Sequence, residues 1–185
     1  PYLNYASTIT GSTTSEEWAL LSAIARLNYN YKGRYILQAA IRRDGSSRFG
    51  YDNRYGTFPS VSAGWIVSDE PFMKSIKQIN YLKIRASYGV TGNNEIGNYR
   101  AIALLGRQDY VFRTGIAQGK AQTSLGNSLL SWEKNEQFDI GVDFALFKDR
   151  ITFSYDYYNK LTDGLLYQID VPRASGFTSV QSNIG

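Results

Sequence analysis

Leu21-Ser22-Ala23-Ile24-Ala25-Arg26-Leu27-Asn28-Tyr29-Asn30-Tyr31 is the stretch that decides the fold. Its odd positions, Leu21, Ala23, Ala25, Leu27, Tyr29 and Tyr31, are all apolar or aromatic. Its even positions are mostly polar: Ser22, Arg26, Asn28 and Asn30, with Ile24 the exception. Side chains alternate between the two faces of a strand, whereas one face of a helix recurs every ~3.6 residues. The alternation therefore predicts a strand of about ten residues. Lys32-Gly33-Arg34 follows as a tight turn, and Tyr35, Leu37, Ala39 and Ile41 resume the apolar face opposite Gln38 and Arg42.

The same pattern returns downstream. Val61, Ala63, Trp65 and Val67 alternate with Ser60, Ser62, Gly64 and Ile66. Leu82, Ile84, Ala86, Tyr88 and Val90 alternate with Lys83, Arg85, Ser87, Gly89 and Thr91. Phe138, Ile140, Val142, Phe144 and Leu146 alternate with Asp139, Gly141, Asp143 and Ala145, and Ile151, Phe153, Tyr155 and Tyr157 continue after Lys148-Asp149-Arg150. The prediction is an all-β chain of about six strands, each near the length that crosses a bilayer when tilted. One short helix is expected, capped by Asp69 and running from Pro71 through Ile76.

Alternation also suits a soluble sandwich, which hides its apolar face against a second sheet. Two features separate the cases. Connections fall into short turns at one end (Lys32–Arg34 and Lys148–Arg150) and long loops at the other (Arg43–Tyr55 and Thr91–Ser131), with Ser68–Asn80 intermediate. That is the habit of outer-membrane barrels, and some forty structureless residues would be odd inside a compact soluble domain. Aromatic residues also gather at both ends, with Ala23, Ala25, Ala39, Ala63, Ala86 and Val142 between them. Tyr29, Tyr31, Tyr35, Trp65, Tyr81, Phe144 and Phe153 lie at the short-turn end. Trp18, Phe58, Tyr88, Trp132, Phe138 and Tyr157 lie at the long-loop end. Amphipathic rings favour the two membrane–water interfaces.

Composition narrows the chemistry. The 185 residues carry 20 Lys+Arg against 16 Asp+Glu, a net charge of +4, with 15 Tyr, 9 Phe and 3 Trp but no Cys and no His. Zinc fingers, haem ligation, thiol nucleophiles, Ser-His-Asp triads and disulfide scaffolds are thereby excluded, leaving a hard, oxygen-liganded cation as the conceivable metal. No basic face is interleaved with stacking aromatics, so nucleic acid is not an expected partner. No run approaches the ~18 apolar residues of a helical span, and Pro1-Tyr2-Leu3-Asn4 shows no signal-peptide pattern.

Four segments carry a family resemblance: Arg42-Arg43-Asp44-Gly45-Ser46-Ser47-Arg48-Phe49; Thr57-Phe58-Pro59-Ser60-Val61-Ser62-Ala63-Gly64-Trp65; Leu82 through Asn93; and Trp132-Glu133 leading to Asp139-Ile140-Gly141 and Asp156-Tyr157-Tyr158-Asn159-Lys160. In order and spacing they resemble the C-terminal barrel half of the SusC/RagA family of TonB-dependent outer-membrane transporters, from about Trp18 onward. The resemblance implies that residues 1–185 are a portion of a plugged barrel of roughly 22 strands. The plug, the TonB-contacting segment and any signal sequence would lie upstream of Pro1, and a further strand is expected to begin near Ser182. It also implies an importer of oligosaccharides or peptides in the outer membrane, in contact with lipid, powered through TonB and capped by a SusD-like surface lipoprotein, with no cofactor. The rival reading is a soluble all-β carbohydrate-binding module.

Candidate sites are few. The loop around Arg42, Arg43, Asp44 and Arg48 could hold an anionic saccharide or a lipopolysaccharide phosphate. Asp44-Gly45 is equally strong turn chemistry, and pairing of the arginines with acidic neighbours takes precedence. Asp44, Asp52 and Asn53 have the oxygen ligands for Ca²⁺ but not the alternating spacing. Glu133 and Glu136, three apart on a strand, point to opposite faces and cannot act as the paired carboxylates of a glycosidase. No acid/base pair or nucleophile is apparent, so no enzyme is expected. Asp139 and Asp143 share a face, too far apart to act together, and read as solvated wall residues. Gly89-Val90-Thr91-Gly92 lacks the Lys-Ser/Thr of a P-loop and reads as strand-to-loop punctuation. In Thr91–Ser131, aromatic residues beside hydrogen-bonding neighbours suit sugar stacking or docking of a lid protein. The candidate loop contacts are Arg43, Arg48, Tyr99, Tyr110 and Phe112.

Overall fold

The computed structural model describes residues 13–113 and 115–185. Ten strands lie among them: β1 (Leu20–Tyr31), β2 (Tyr35–Ser46), β3 (Tyr55–Ile66), β4 (Ile79–Asn93), β5 (Leu105–Phe112), β6 (Gly115–Gln122), β7 (Glu133–Leu146), β8 (Ile151–Asp163), β9 (Leu165–Asp170) and β10 (Ser179–Ile184). Six of them form one open antiparallel sheet in the order β1-β2-β3-β4-β7-β8, while β5 pairs with β6 and β9 with β10 as separate hairpins. The expected strands are all present and longer than read. The four additional strands belong to the two hairpins.

Register gives the sheet its two faces. Tyr29, Leu37, Ala63, Ala86, Ile140 and Tyr157 stand in one row across all six strands. One residue away, Asn28, Gln38, Ser62, Ser87, Asp139 and Tyr158 form the neighbouring row. Because a slip of one residue would turn a strand inside out, this phase agreement collects every apolar set on one side. The apolar side is uncovered: Leu27 is 70% exposed, and no described element packs over it. A soluble sandwich would close that side with a second sheet.

Turns at one end are tight. Lys32 and Gly33 take positive φ (53° and 71°), and Asn30 Oδ1 accepts the Gly33 N–H at 3.0 Å. The β7–β8 connection has four residues rather than three, Phe147–Arg150, and Phe147, Lys148 and Asp149 all have positive φ. The expected helix over Asp69–Ile76 is absent. Asp69 instead ends a 3₁₀ turn, and Glu70 is extended (φ −74°, ψ 146°). Pro71 is the cause, because a proline disfavours the α conformation in the residue before it. Isolated turns follow through Met73 and Ile76.

Glu70 is the hub of this end. Its carboxylate accepts hydrogen bonds from Tyr35 Oη (2.7 Å), Trp65 Nε1 (3.2 Å) and Arg34 Nη1 (3.0 Å). Tyr35 and Trp65 stack at 6.3 Å, and Tyr31 joins Tyr35 at 6.2 Å, so the expected aromatic girdle is built at this end. The Tyr35 hydroxyl, then the Trp65 indole, hold the Glu70 carboxyl below its ordinary value of 4.5 against the opposing effect of burial, with Arg34 adding to the lowering. A carboxyl with a depressed folded-state pKa stabilises the fold fully above its unfolded pKa and loses that contribution as pH falls through the folded value. Acidifying the detergent-solubilised full-length protein below the usual carboxylate range should therefore lower its melting temperature, and Glu70→Gln should flatten that dependence. Superimposable pH profiles for the two proteins would rule this out.

At the other end the loops are organised. β2 runs on to Ser46 and β3 starts at Tyr55, so the Arg43–Tyr55 link shrinks to residues 47–54. The Thr91–Ser131 segment, expected to be structureless, carries the β5–β6 hairpin. Gly89 lies inside β4, while Gly92 is its penultimate residue, next to the loop. β10 covers the position where a further strand was expected near Ser182, but pairs with β9.

Candidate functional site

Where the sheet meets its loops, β3 parts from β4 beyond the Ser60–Gly89 pair, while β4 stays paired to β7 as far as Asn93–Glu133. Pro59, with no N–H to give a ladder, is the first residue past that parting. Phe58 fills the opening and joins Phe49, Ile96, Leu130 and Trp132 in a buried cluster, with Val90 and Leu166 against it. Ring centroids lie 5.2 Å apart for Phe49–Trp132 and 5.3 Å for Phe58–Trp132. Trp132 Nε1 donates to the Arg54 carbonyl at 3.1 Å. Phe58 and Trp132, expected in the loop-end girdle, are each only 5% exposed. That expectation is corrected: both rings hold the loops to the sheet, while Tyr88, Phe138 and Tyr157 stay in rows with the apolar side.

A polar layer ties this cluster together. Ser46 Oγ, fully buried, accepts from Asn94 Nδ2 (3.0 Å) and from the Arg48 N–H (3.3 Å). Arg48 donates to Asn98 Oδ1 (3.0 Å) and to the Asn94 carbonyl (3.2 Å), and its guanidinium lies 4.8 Å from the Trp18 ring centroid. Of the arginines expected to pair with acidic neighbours, Arg42 does so, with buried Asp44 at 2.8 Å, whereas Arg43 and Arg48 make no ion pair among the described residues. Asn53 donates to the Leu129 carbonyl, so Asp44 and Asn53 are both engaged within the protein. Asn183 bridges Ser131 and the Gly164 carbonyl, fastening the β9–β10 hairpin to the base of β7.

The polar face of the sheet is wired as well. Arg85 pairs with Asp143 (3.1 Å) and Asp156 (2.6 Å), and Ser154 donates to Asp143. Asp139 accepts from Ser87 (3.2 Å) and Gln137 (2.9 Å). These carboxylates are thus bonded within the wall rather than simply solvated. Gly141 makes room for the arrangement, since a Cβ there would come within 2.7 Å of Arg85 Cζ. Beside this network Gln38, Ser62, Ser87 and Lys83 line a shallow concavity of hydroxyls, amides and charge, suited to water and polar solutes. Glu133 and Glu136 fall in alternate rows of β7, as read. Glu133 is spent on the Leu166 N–H, Asn93 and Asn135, and Glu136 accepts from Tyr88.

The five candidate contacts are scattered. Arg43 lies within β2, not in a loop, with its guanidinium 5.3 Å from the Tyr55 ring centroid. Arg48 and Tyr99 share a shallow cleft with Glu17 and Trp18, and Tyr99 Oη accepts the Glu17 N–H at 2.9 Å. Tyr110 and Phe112 stand well exposed on β5, whose Arg107–Asp109 pair holds the Asp109 carboxyl below its usual range. Sequence reading missed the Asn94, Asn98 and Asn183 amides, which make the loop connections. The only signal for Asn94 and Asn98 was the run of asparagines at 93, 94 and 98, and Asn183 carried none.

Strands of 12 to 15 residues, an uncovered apolar face, an ion-paired polar face, turns at one end and folded loops at the other define a segment of transmembrane β-barrel wall. The chain belongs to the family described as TonB dependent receptor-like, beta-barrel, whose model matches residues 1–185. It is 46% identical to TonB-dependent receptor P39 of Formosa agariphila over 98% of this chain and 17% of that receptor. It is 37% identical to the TonB-dependent receptor SusC of Bacteroides thetaiotaomicron over 90% of this chain and 17% of SusC. The solved structure of the RagAB peptide transporter matches with a TM-score of 0.82 at 35% identity, covering 91% of this chain and 18% of that one. The RagAB importer in its closed-closed state gives a TM-score of 0.84 over 92% of this chain. The SusC/RagA resemblance is thus shown, in a family of outer-membrane transporters and receptors. The chain spans 17% of the length of these curated relatives.

Proposed function

We propose that this chain contributes wall strands, turns and surface loops to an outer-membrane, TonB-dependent importer of oligosaccharides or peptides. In this reading the apolar face meets lipid, the Arg85 face meets the lumen, and the tight turns are periplasmic. The loop end faces outward, where Arg48, Tyr99, Tyr110 and Phe112 are the contacts for substrate or for a SusD-like lipoprotein cap. Energy enters through TonB by way of other parts of the protein. The wall residues work by shape and charge rather than by bond-making, so the role is transport, not catalysis. The observation that carries the reading is the phase agreement of six strands, which leaves one apolar side open and one polar side ion-paired.

Uptake tests the function directly. Cells producing the full-length protein should accumulate a labelled oligosaccharide or peptide only when TonB is present, and undiminished uptake without TonB would refute the mechanism. Orientation has its own test. An epitope inserted beside Gln108, on β5, should bind antibody on intact cells, whereas one beside Gly33 should bind only after permeabilisation. The reverse staining pattern would invert the topology.

A further inference from the structure

Arg43 is a cation on the wrong side of the wall. Its row partners are Ala23 on β1 and Thr57 on β3, so it shares the outer face with Ala25 and Ile41. Among the described residues it makes no ion pair. The acidic side chains of that face, Glu136 on β7 and Asp163 on β8, lie three or more strands along the sheet, and Glu136 is bonded to Tyr88.

The position is built rather than incidental. The Tyr55 ring lies across β2 at Gly45, where a Cβ would come within 2.5 Å of its edge, and the Arg43 guanidinium rests 5.3 Å from the ring centroid. Gly45 therefore lets the ring lie down, and the ring holds the cation at the surface. Tyr35, in the turn-end girdle, and Arg43 are separated by ~27 Å of strand, or ~21 Å of height at a tilt of ~40°. The apolar band of such barrels is ~25 Å tall, so Arg43 stands at its upper boundary, where an arginine on the lipid face costs little.

We propose that Arg43, presented by Tyr55 over Gly45, binds the phosphate of an anionic lipid headgroup in the outer leaflet. The proposal rests on the barrel-wall reading and adds to it a lipid chemistry and a residue. A guanidinium offers phosphate two parallel N–H donors, and since no carboxylate pairs with it among the described residues, the proposal takes its counter-charge from the membrane.

Full-length protein in neutral detergent is titrated with diphosphoryl lipid A, or with the same lipid stripped of its phosphates, and retained lipid is counted by native mass spectrometry. Wild type should keep the phosphorylated lipid preferentially. Arg43→Gln should weaken that binding roughly tenfold and leave the stripped lipid unaffected, and Arg43→Lys, which keeps charge without the fork, should fall between. Equal retention of phosphorylated lipid by wild type and Arg43→Gln overturns the proposal. So does a wild type indifferent to the phosphates, a comparison that decides alone should Arg43→Gln not fold. Displacement by inorganic phosphate would mark a free-anion site and overturn the lipid assignment. Failure of the barrel reading looks different: a water-soluble label would then reach position 25, whatever lipid the protein retains.

Discussion

Ala25→Arg is expected to destabilise the full-length barrel by about 2–4 kcal/mol, the cost of a cation on the lipid face near the bilayer midplane. Ala25 is central in β1 and faces Ile41 across the β1–β2 ladder, with Ala23, Leu27 and Ala39 beside it and Arg43 diagonally across, so an arginine there meets apolar side chains and one like charge. Level with Ile41, it lies two residues, or ~5 Å of height, deeper in the apolar band than Arg43. Asn28, in the row of Gln38 and Ser62, is the control: Asn28→Arg should be mild because that face is wet. Denaturant unfolding in lipid vesicles measures both. Single-cysteine labelling checks the register separately, with Ala25→Cys shielded by lipid and Asn28→Cys open to a water-soluble reagent. Equal losses from the two arginines would mean that the faces are misassigned.

Trp132→Ala should cost about 3–5 kcal/mol, the range for emptying a buried aromatic site. It removes the ring between Phe49 and Phe58 and leaves the Arg54 carbonyl with the Ser46 N–H as its remaining donor. Gly92 supplies the coupling test. A Cβ there would sit 2.0 Å from Phe58 Cζ, a rigid ring atom, so Gly92→Ala forces the ring out at about 1–3 kcal/mol. Phe58→Leu should relieve part of that penalty, making the double variant less unstable than the two single losses added together. Protease cutting within residues 94–132 should rise in Trp132→Ala and in Gly92→Ala. Strict additivity, or unchanged proteolysis, would mean that the cluster does not hold the loops.

The wall was legible because strand physics has one dominant signal. A period of two over Leu21–Tyr31, repeated in phase by five more segments, fixes which residues share each face. The loop base was not legible for two reasons. Its fastenings are amide side chains bonded to backbone far away in sequence, such as Asn183 to Ser131 and Asn127 to the Gln181 carbonyl, which no periodicity reports. Its aromatic residues were also placed by height along the strand rather than by side. Phe58 falls on the parity of Ser60 and Ser62, not of Val61 and Ala63, and that parity already pointed inward. Of the candidate contacts, Arg43 was read as loop because Asp44-Gly45 resembles a turn. In β2 the glycine instead clears space for Tyr55.

The β5–β6 hairpin has a consequence for assembly of the chain. Every neighbouring pair in the main sheet is close in sequence except β4 with β7, which must find each other across residues 94–132. Closing a loop costs about 0.6 kcal/mol for each doubling of its length. Pairing Leu105 with Gln122 takes the hairpin out of the free contour and roughly halves what remains to be closed. Local hairpins form on a scale of about microseconds, well before distant strands meet. The hairpin is therefore a contour-shortening insert whose contribution to folding depends on its paired ends and not on its tip. Swapping residues 107–120 for another short hairpin should leave the wall able to assemble, so the tip is free to diversify at little cost to the barrel that carries it.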